Sequence, residues 1–253
     1  FPSSPLAVGK VVYVGSANTV FALNTQSGRE NWNYTIDYIA NYLPPNLSSF
    51  VFDKGTLYFC AGDGNAYALD AGSGRKIWNT TYTLPGVPVP DVYVPPAPIL
   101  KNGVIYASSG TGDVCALNAT DGTKIWTATI DASPLTLLST PALYGDVLYF
   151  GSYHGNLYAL NATSGLELWS YSISSSGGGS VGSPVVCDGI LYVGGGDGVY
   201  ALKVSQPLEV PSSASVLSTF HFLIIVGVII VVVVCFVWIY LLRKQNRRKQ
   251  NAE

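Results

Sequence analysis

The chain has 253 residues, of which 48% are hydrophobic and only 11% charged, with 27 Gly, 17 Tyr, 15 Pro and no Met. So much apolar side chain excludes an intrinsically disordered polymer, and a shortage of strong helix formers beside abundant Gly and Pro excludes a helical bundle. The net charge of −2 divides into an acidic body, with 8 Lys/Arg against 14 Asp/Glu over residues 1–217, and a basic end, which excludes the body as a nucleic-acid binder because it lacks the clustered cations that neutralise phosphates.

Read along the chain, five segments repeat one another: VVYVGSANTVFALN (11–24), LYFCAGDGNAYALD (57–70), VIYASSGTGDVCALN (104–118), VLYFGSYHGNLYALN (147–161) and ILYVGGGDGVYALK (190–203). The alanines at Ala22, Ala68, Ala116, Ala159 and Ala201 set a period of 42–48 residues. Each segment predicts two short strands around a tight turn, with Asp63-Gly64, His154-Gly155 and Asp197-Gly198 supplying the turn residues. A further strand is expected ahead of each pair, at SPLAV (4–8), PILKNG (98–103), TPALYGD (140–146) and SPVVCDG (183–189), and another behind it, around Trp32, Trp78, Trp126 and Trp169. Four antiparallel strands in every 40–50 residues predict the blades of an all-β propeller.

Four of the repeats continue into Ala-x-Asn/Asp-x-x-x-Gly-x-x-x-Trp: ALNTQSGRENW (22–32), ALDAGSGRKIW (68–78), ALNATDGTKIW (116–126) and ALNATSGLELW (159–169). This motif resembles the tryptophan-docking motif of the pyrroloquinoline-quinone-like (PQQ-like) propeller repeats, a family that includes quinoprotein alcohol dehydrogenases and the propeller subunit of the bacterial outer-membrane assembly machine. The structural docking positions are then Ala22, Gly28 and Trp32, Ala68, Gly74 and Trp78, Ala116, Gly122 and Trp126, and Ala159, Gly165 and Trp169. The physical logic stands without the resemblance: Ala leaves room for a ring, Asn or Asp caps the turn, and Gly allows close approach. Burying the Trp between blades contributes roughly 4–6 kcal/mol at most.

The fifth copy, ALKVSQPLEV (201–210), meets neither the Gly nor the Trp, and Pro207 opposes a further paired strand. The resemblance implies a ring of seven or eight blades, so the five repeats are expected to form its C-terminal part. A chain without Met likewise reads as processed or as a piece of a longer one. The organisation predicted is PQQ-like repeats over 4–204, a Ser/Pro polar linker over 205–220, a transmembrane helix over 221–242 and a basic cytoplasmic tail over 243–253. The helix rests on the uncharged run Phe222–Leu242, 21 residues that span about 31 Å as a helix against a hydrocarbon core of about 30 Å. Arg243, Lys244, Arg247, Arg248 and Lys249 behind it place the tail in the cytoplasm, and hence the repeats outside it, at the plasma membrane.

Five N-x-[ST] sequons, at Asn33, Asn46, Asn79, Asn118 and Asn161, are candidate N-glycosylation sites. Asn118 and Asn161 also occupy the turn-capping position of the motif and are equally read as structural. Cys60, Cys115 and Cys187 lie outside the membrane run and Cys235 within it, with no CxxC spacing for a zinc ribbon or a redox pair. In quinoprotein dehydrogenases the resemblance implies a quinone held against adjacent cysteines, with calcium beside a catalytic Asp. No adjacent cysteines stand in this sequence, and neither a catalytic residue nor a metal ligand is assigned. Gly178-x-Ser180-x-Gly182 matches a nucleophile-elbow spacing, but no helix follows it.

The remaining candidate is a binding face. Two long Pro-rich connections, 37–46 and 84–98, carry Tyr38, Tyr42 and Tyr93, and the propeller topology puts them at the same end as Asp63, Asp113, His154 and Asp197. Rigid aromatic loops over acidic turns suit a protein, a glycan or a small cation. The functional expectation is a membrane-anchored, extracytoplasmic binding or scaffold module at the cell surface. Two alternatives stand beside it: part of a tethered quinoprotein dehydrogenase using PQQ and calcium, and a sensor ectodomain working with a separate signalling partner.

Overall fold

The structure is a computed structural model that describes residues 2–37, 46–83, 94–130, 138–173, 179–196 and 198–204. Tyr38, Tyr42, Tyr93, Asp197, the polar linker, the apolar run 222–242 and the basic tail lie outside the described residues. Among the described residues no helix is long and apolar enough to cross a membrane.

The described residues form five antiparallel meanders. The first sheet is β1 (Leu6–Val8), β2 (Val11–Ser16), β3 (Thr19–Asn24) and β4 (Glu30–Thr35), paired in that order. The second is β5 (Val51–Asp53), β6 (Thr56–Cys60), β7 (Asn65–Asp70) and β8 (Lys76–Thr81), and the third β9 (Ile99–Lys101), β10 (Val104–Ser108), β11 (Asp113–Asn118) and β12 (Lys124–Thr129). The fourth is β13 (Ala142–Tyr144), β14 (Val147–Gly151), β15 (Asn156–Asn161) and β16 (Glu167–Ser172). Among the described residues the fifth has three strands, β17 (Val185–Cys187), β18 (Ile190–Gly195) and β19 (Gly198–Lys203). This is the meander arrangement of propeller blades.

Pairing register explains why the motif needs its alanine. Across the first sheet Leu6, Tyr13, Ala22 and Trp32 are successive cross-strand partners, and Val51, Tyr58, Ala68 and Trp78 repeat the row in the second. With only a methyl group between them, Tyr and Trp lean together over the alanine. Their ring centroids lie 5.8 Å apart in the first sheet and 6.0, 6.1 and 5.9 Å apart in the next three. A one-residue irregularity follows each alanine, between Ala22/Leu23, Ala68/Leu69, Ala116/Leu117 and Ala159/Leu160, which accommodates the wide turn to the outer strand.

Each Trp then reaches the neighbouring sheet. Trp32 Nε1 donates to the Ala71 carbonyl at 3.0 Å, Trp78 Nε1 to Ala119 at 3.0 Å and Trp126 Nε1 to Ala162 at 2.9 Å. The ring body lies on the motif glycine of that same turn. A Cβ on Gly74 falls 2.5 Å from Trp32 Cε3, one on Gly122 2.7 Å from Trp78 Cδ2, and one on Gly165 2.6 Å from Trp126 Cε3. These glycines also hold φ of 73° to 74°, which L side chains resist. Between sheets the core is apolar: Leu57, Phe59, Tyr67 and Leu69 of the second sheet pack against Tyr13, Val20 and Ala22 of the first.

Trp78 is 8% exposed, whereas Trp169, which meets the incomplete fifth sheet, is 37% exposed. Trp78→Ala is expected to cost about 3–5 kcal/mol and Trp78→Phe about 1 kcal/mol, because Phe keeps the ring contact and forfeits one hydrogen bond. Trp169→Ala costs less than Trp78→Ala. Urea unfolding of the full chain in detergent, followed by circular dichroism, measures the order; equal costs for Trp78→Ala and Trp169→Ala contradict it.

Candidate functional site

The segments that lead into the sheets converge at one end of the repeats. Ser3 N donates to Gly15 O at 2.9 Å and its Oγ accepts Gly15 N at 2.8 Å. Ser48 does the same with Cys60 (2.9 and 2.9 Å), and Ser139 with Gly151 (2.8 and 2.9 Å). Each serine therefore fastens its segment to the end of a second strand, next to the turn that joins the second and third strands. The bond from Gly62 N to Asn46 O ties the second sheet's turn to its own entering segment, and that from Val181 N to Ser152 O ties the fourth sheet's turn to the segment that enters the fifth.

These segments enclose a cleft of about 380 Å³, lined by Pro2–Ser4, Ser49, Val94–Ala97 and Leu138–Thr140. Hydroxyls knit its walls together: Ser4 N donates to Ser49 Oγ at 3.3 Å, Ala97 N to Thr140 Oγ1 at 3.2 Å and Ser108 Oγ to Ser139 O at 2.9 Å. Val94 projects with 41% of its surface exposed. Pro rings, aliphatic groups and neutral hydroxyls make a surface that binds by contact and hydrogen bonding; none of these lining side chains carries charge at neutral pH.

The turns predicted to bear acidic residues differ from one another. Asp63 is exposed, with Oδ1 accepting Asn65 N at 2.9 Å and Oδ2 accepting the Tyr67 hydroxyl. Burial and the adjacent Asp63 both push the Tyr67 phenol up. His154 is exposed beside Tyr153, with ring centroids 6.0 Å apart. Asp113, expected on the same surface, is fully buried, and its carboxylate accepts Thr111 Oγ1 and Thr129 Oγ1, both at 2.8 Å. It locks its own turn instead of facing a partner. Of the expected face, then, the structure sets Asp63 and His154 on exposed turns at the cleft end and withdraws Asp113.

The sequon residues are also distinguished. Asn118 Oδ1 accepts Thr120 N at 2.8 Å, and Asn161 Oδ1 accepts Thr163 N and Ser164 N at 2.9 Å, as turn caps do. Asn33 and Asn79 are exposed, whereas Asn46 is 9% exposed and lacks the accessibility that a glycan-bearing amide needs.

Cys60 and Cys115 belong to one apolar cluster between the second and third sheets, and neither has exposed surface. Burial pushes both thiols up, Cys115 to about 12. Cys187 is exposed. A quinone held against a cysteine pair needs that pair at the wall of a cavity, so these inward thiols do not fit it. Among the described residues no three His, Cys, Asp or Glu side chains gather as metal ligands.

The family described as outer membrane protein assembly factor BamB matches residues 41–235. The chain belongs to that family. No curated protein matches it. Among solved structures, the computationally designed Ika8 protein aligns at TM-score 0.61 and 16% identity, covering 79% of this chain and 57% of its own. The quinohemoprotein alcohol dehydrogenase ADHIIG from Pseudomonas putida HK5 aligns at 0.62 and 17% identity, with coverage of 79% and 40%, and that from Comamonas testosteroni at 0.62 and 16%, with 79% and 41%. At such identities the likeness is one of fold, that of the PQQ-like β-propeller repeat. The chain spans little more than half the length of the designed protein and about two fifths of the dehydrogenases.

Two consequences of the buried thiols can be measured. At pH 8 a maleimide is expected to label Cys187 in the folded chain, and Cys60 and Cys115 only after denaturation, as read by peptide mass. Because folding raises both thiols above their ordinary value of 9.0, their stabilising effect is complete below about pH 9 and declines as pH rises from there towards 12. Urea midpoints measured from pH 8 to 11 should fall, and the pair Cys60→Ala/Cys115→Ala should flatten the first part of that fall. An unchanged slope in the double variant contradicts this account.

Proposed function

We propose that the chain is a membrane-anchored, extracytoplasmic propeller module whose cleft end holds a polypeptide partner. The observation that carries this reading is the lining of the cleft: fixed prolines, an exposed valine and neutral hydroxyls within about 380 Å³. An extended polypeptide offers apolar side chains alternating with backbone groups, and such a wall meets both. The family's description as an assembly factor supports a role that works by holding protein. The apolar run 222–242 and the basic residues behind it supply the single-span anchor in this reading, with the repeats outside the cytoplasm. Exposed Asp63 and His154 flank the surface and tune which partner is accepted.

A quinoprotein dehydrogenase is the second reading, and the fold of the two alcohol dehydrogenases is what favours it. It calls for quinone-dependent dye reduction by membranes that contain the chain. The binding reading is tested by placing a photo-crosslinking residue at Val94, in the cleft, and at Leu166, a 68%-exposed position on an outer turn, in the full chain within its native membrane. Discrete adducts from Val94 and none from Leu166 are expected. No adduct at Val94, or the same adducts at both sites, overturns it.

A further inference from the structure

Trp32, Trp78 and Trp126 each give their indole N–H to a carbonyl of the next sheet, but Trp169 donates to no described residue. The matching carbonyl belongs to Val204, whose N–H bonds Gly189 O as Ala71 N bonds Gly55 O and Ala119 N bonds Gly103 O. A Trp with an unused N–H is an amphipathic surface, apolar on its ring face and polar at one edge.

A cavity of about 370 Å³, within the size range of small-ligand pockets, opens in front of this ring between β16 and the end of β19. Trp169 and Tyr171 are two residues apart on β16, opposite Ala159 and Leu157, so both rings rise from one face of the sheet. They are 37% and 52% exposed. Tyr149 supports the indole from behind, with ring centroids 5.9 Å apart. Among the lining residues one carries a charge, Lys203, which stands where the other repeats place the turn-capping Asn or Asp. Lys203 is exposed and forms no ion pair among the described residues.

We infer that this cavity is a binding site for an acidic saccharide, whose ring lies against Trp169 and Tyr171 and whose carboxylate meets Lys203. A pyranose presents a flat C–H face to an aromatic ring, while its oxygens, spread around the rim, accept the indole N–H. A purely apolar ligand leaves that N–H and the ammonium without partners. A polyphosphate carries more negative charge than one lysine balances, on a body with 8 Lys/Arg against 14 Asp/Glu over residues 1–217. One carboxylate on a polar ring matches one ammonium. The site shares no residue with the cleft at Val94, so it stands or falls independently of the polypeptide partner proposed there.

The probes are digalacturonic acid and its uncharged dimethyl ester, titrated into the full chain in detergent and followed by saturation-transfer NMR. The acid is expected to bind about fivefold more tightly than the ester, the effect of one exposed charge pair. Trp169→Ala should weaken the acid by about tenfold, and Trp169→Phe, which keeps a ring but loses the N–H, by less. Lys203→Gln should remove the preference for the acid and leave ester binding as it was. Should Trp169→Ala fail to fold, Lys203→Gln decides alone, because an exposed lysine without an ion pair is replaced at little cost in stability. The inference is overturned if the unaltered chain does not bind the acid, or binds acid and ester equally. It is also overturned if Trp169→Ala folds and binds as before, or if Lys203→Gln still prefers the acid.

Discussion

An indole can lie flat on a turn only if the residue beneath it has no side chain, and that requirement fixes how neighbouring sheets of this chain approach. The same glycine must also hold a positive φ, so one residue satisfies the turn and the contact together. Once the ring is seated, its N–H finds the carbonyl that follows the turn-capping Asn or Asp. Three residue types are therefore coupled across the interface. A short meander exposes one apolar face on each side, and only stacking with its neighbours removes both from water. The indole contact sets the spacing of that stack; the Leu, Phe and Tyr side chains between the sheets supply most of the area buried.

Fixing the outer edge of each sheet in this way leaves the opposite end of the strands free for other work. Three of the entering segments are held by one serine each, which bonds a strand end through both its backbone N–H and its hydroxyl. Leu47, Phe50 and Leu138 of these segments pack into the core, while their prolines, hydroxyls and Val94 line the cleft. The sheets thus act as a frame, and the segments between them carry the recognition surface, the division of labour expected of loops on a rigid scaffold.

Much of the frame was legible in the sequence, because the motif couples residues at fixed spacing. The strands around Trp32, Trp78, Trp126 and Trp169 formed where the alternation put them. The serine clasps were not legible. Ser3, Ser48 and Ser139 share a role, but Pro96 and Gly182 stand at the matching places of the other two repeats, so no repeated letter marks the position. Asp113 was misread for a related reason. It shares a turn position with exposed residues of the other repeats, yet the hydroxyls of Thr111 and Thr129 draw its carboxylate inward. A single letter in a turn does not show which way its side chain faces; the two partners do, and one of them stands on another strand.

The fifth sheet shows what the frame can omit. Lys203 stands where the other repeats have Asn or Asp, and Pro207 where they have Gly, so the sequence offers Trp169 no glycine seat. The interface between the fourth and fifth sheets relies instead on apolar area, with Leu157, Leu191 and Val193 fully or nearly fully buried, and on the Tyr200 hydroxyl, which donates to Ile173 O at 3.1 Å. Beyond it, Val185, Tyr192 and Val199 are 62%, 41% and 79% exposed, at places where the first sheet has Leu6, Tyr13 and Val20 facing a neighbour. The two ends of the array are therefore unlike. The first sheet retains the glycine seat and a matching apolar face, whereas the fifth retains only the face. Among the described residues, then, the contact that joins the other sheets is present at the first as a glycine seat without a ring and at the fifth only as apolar area.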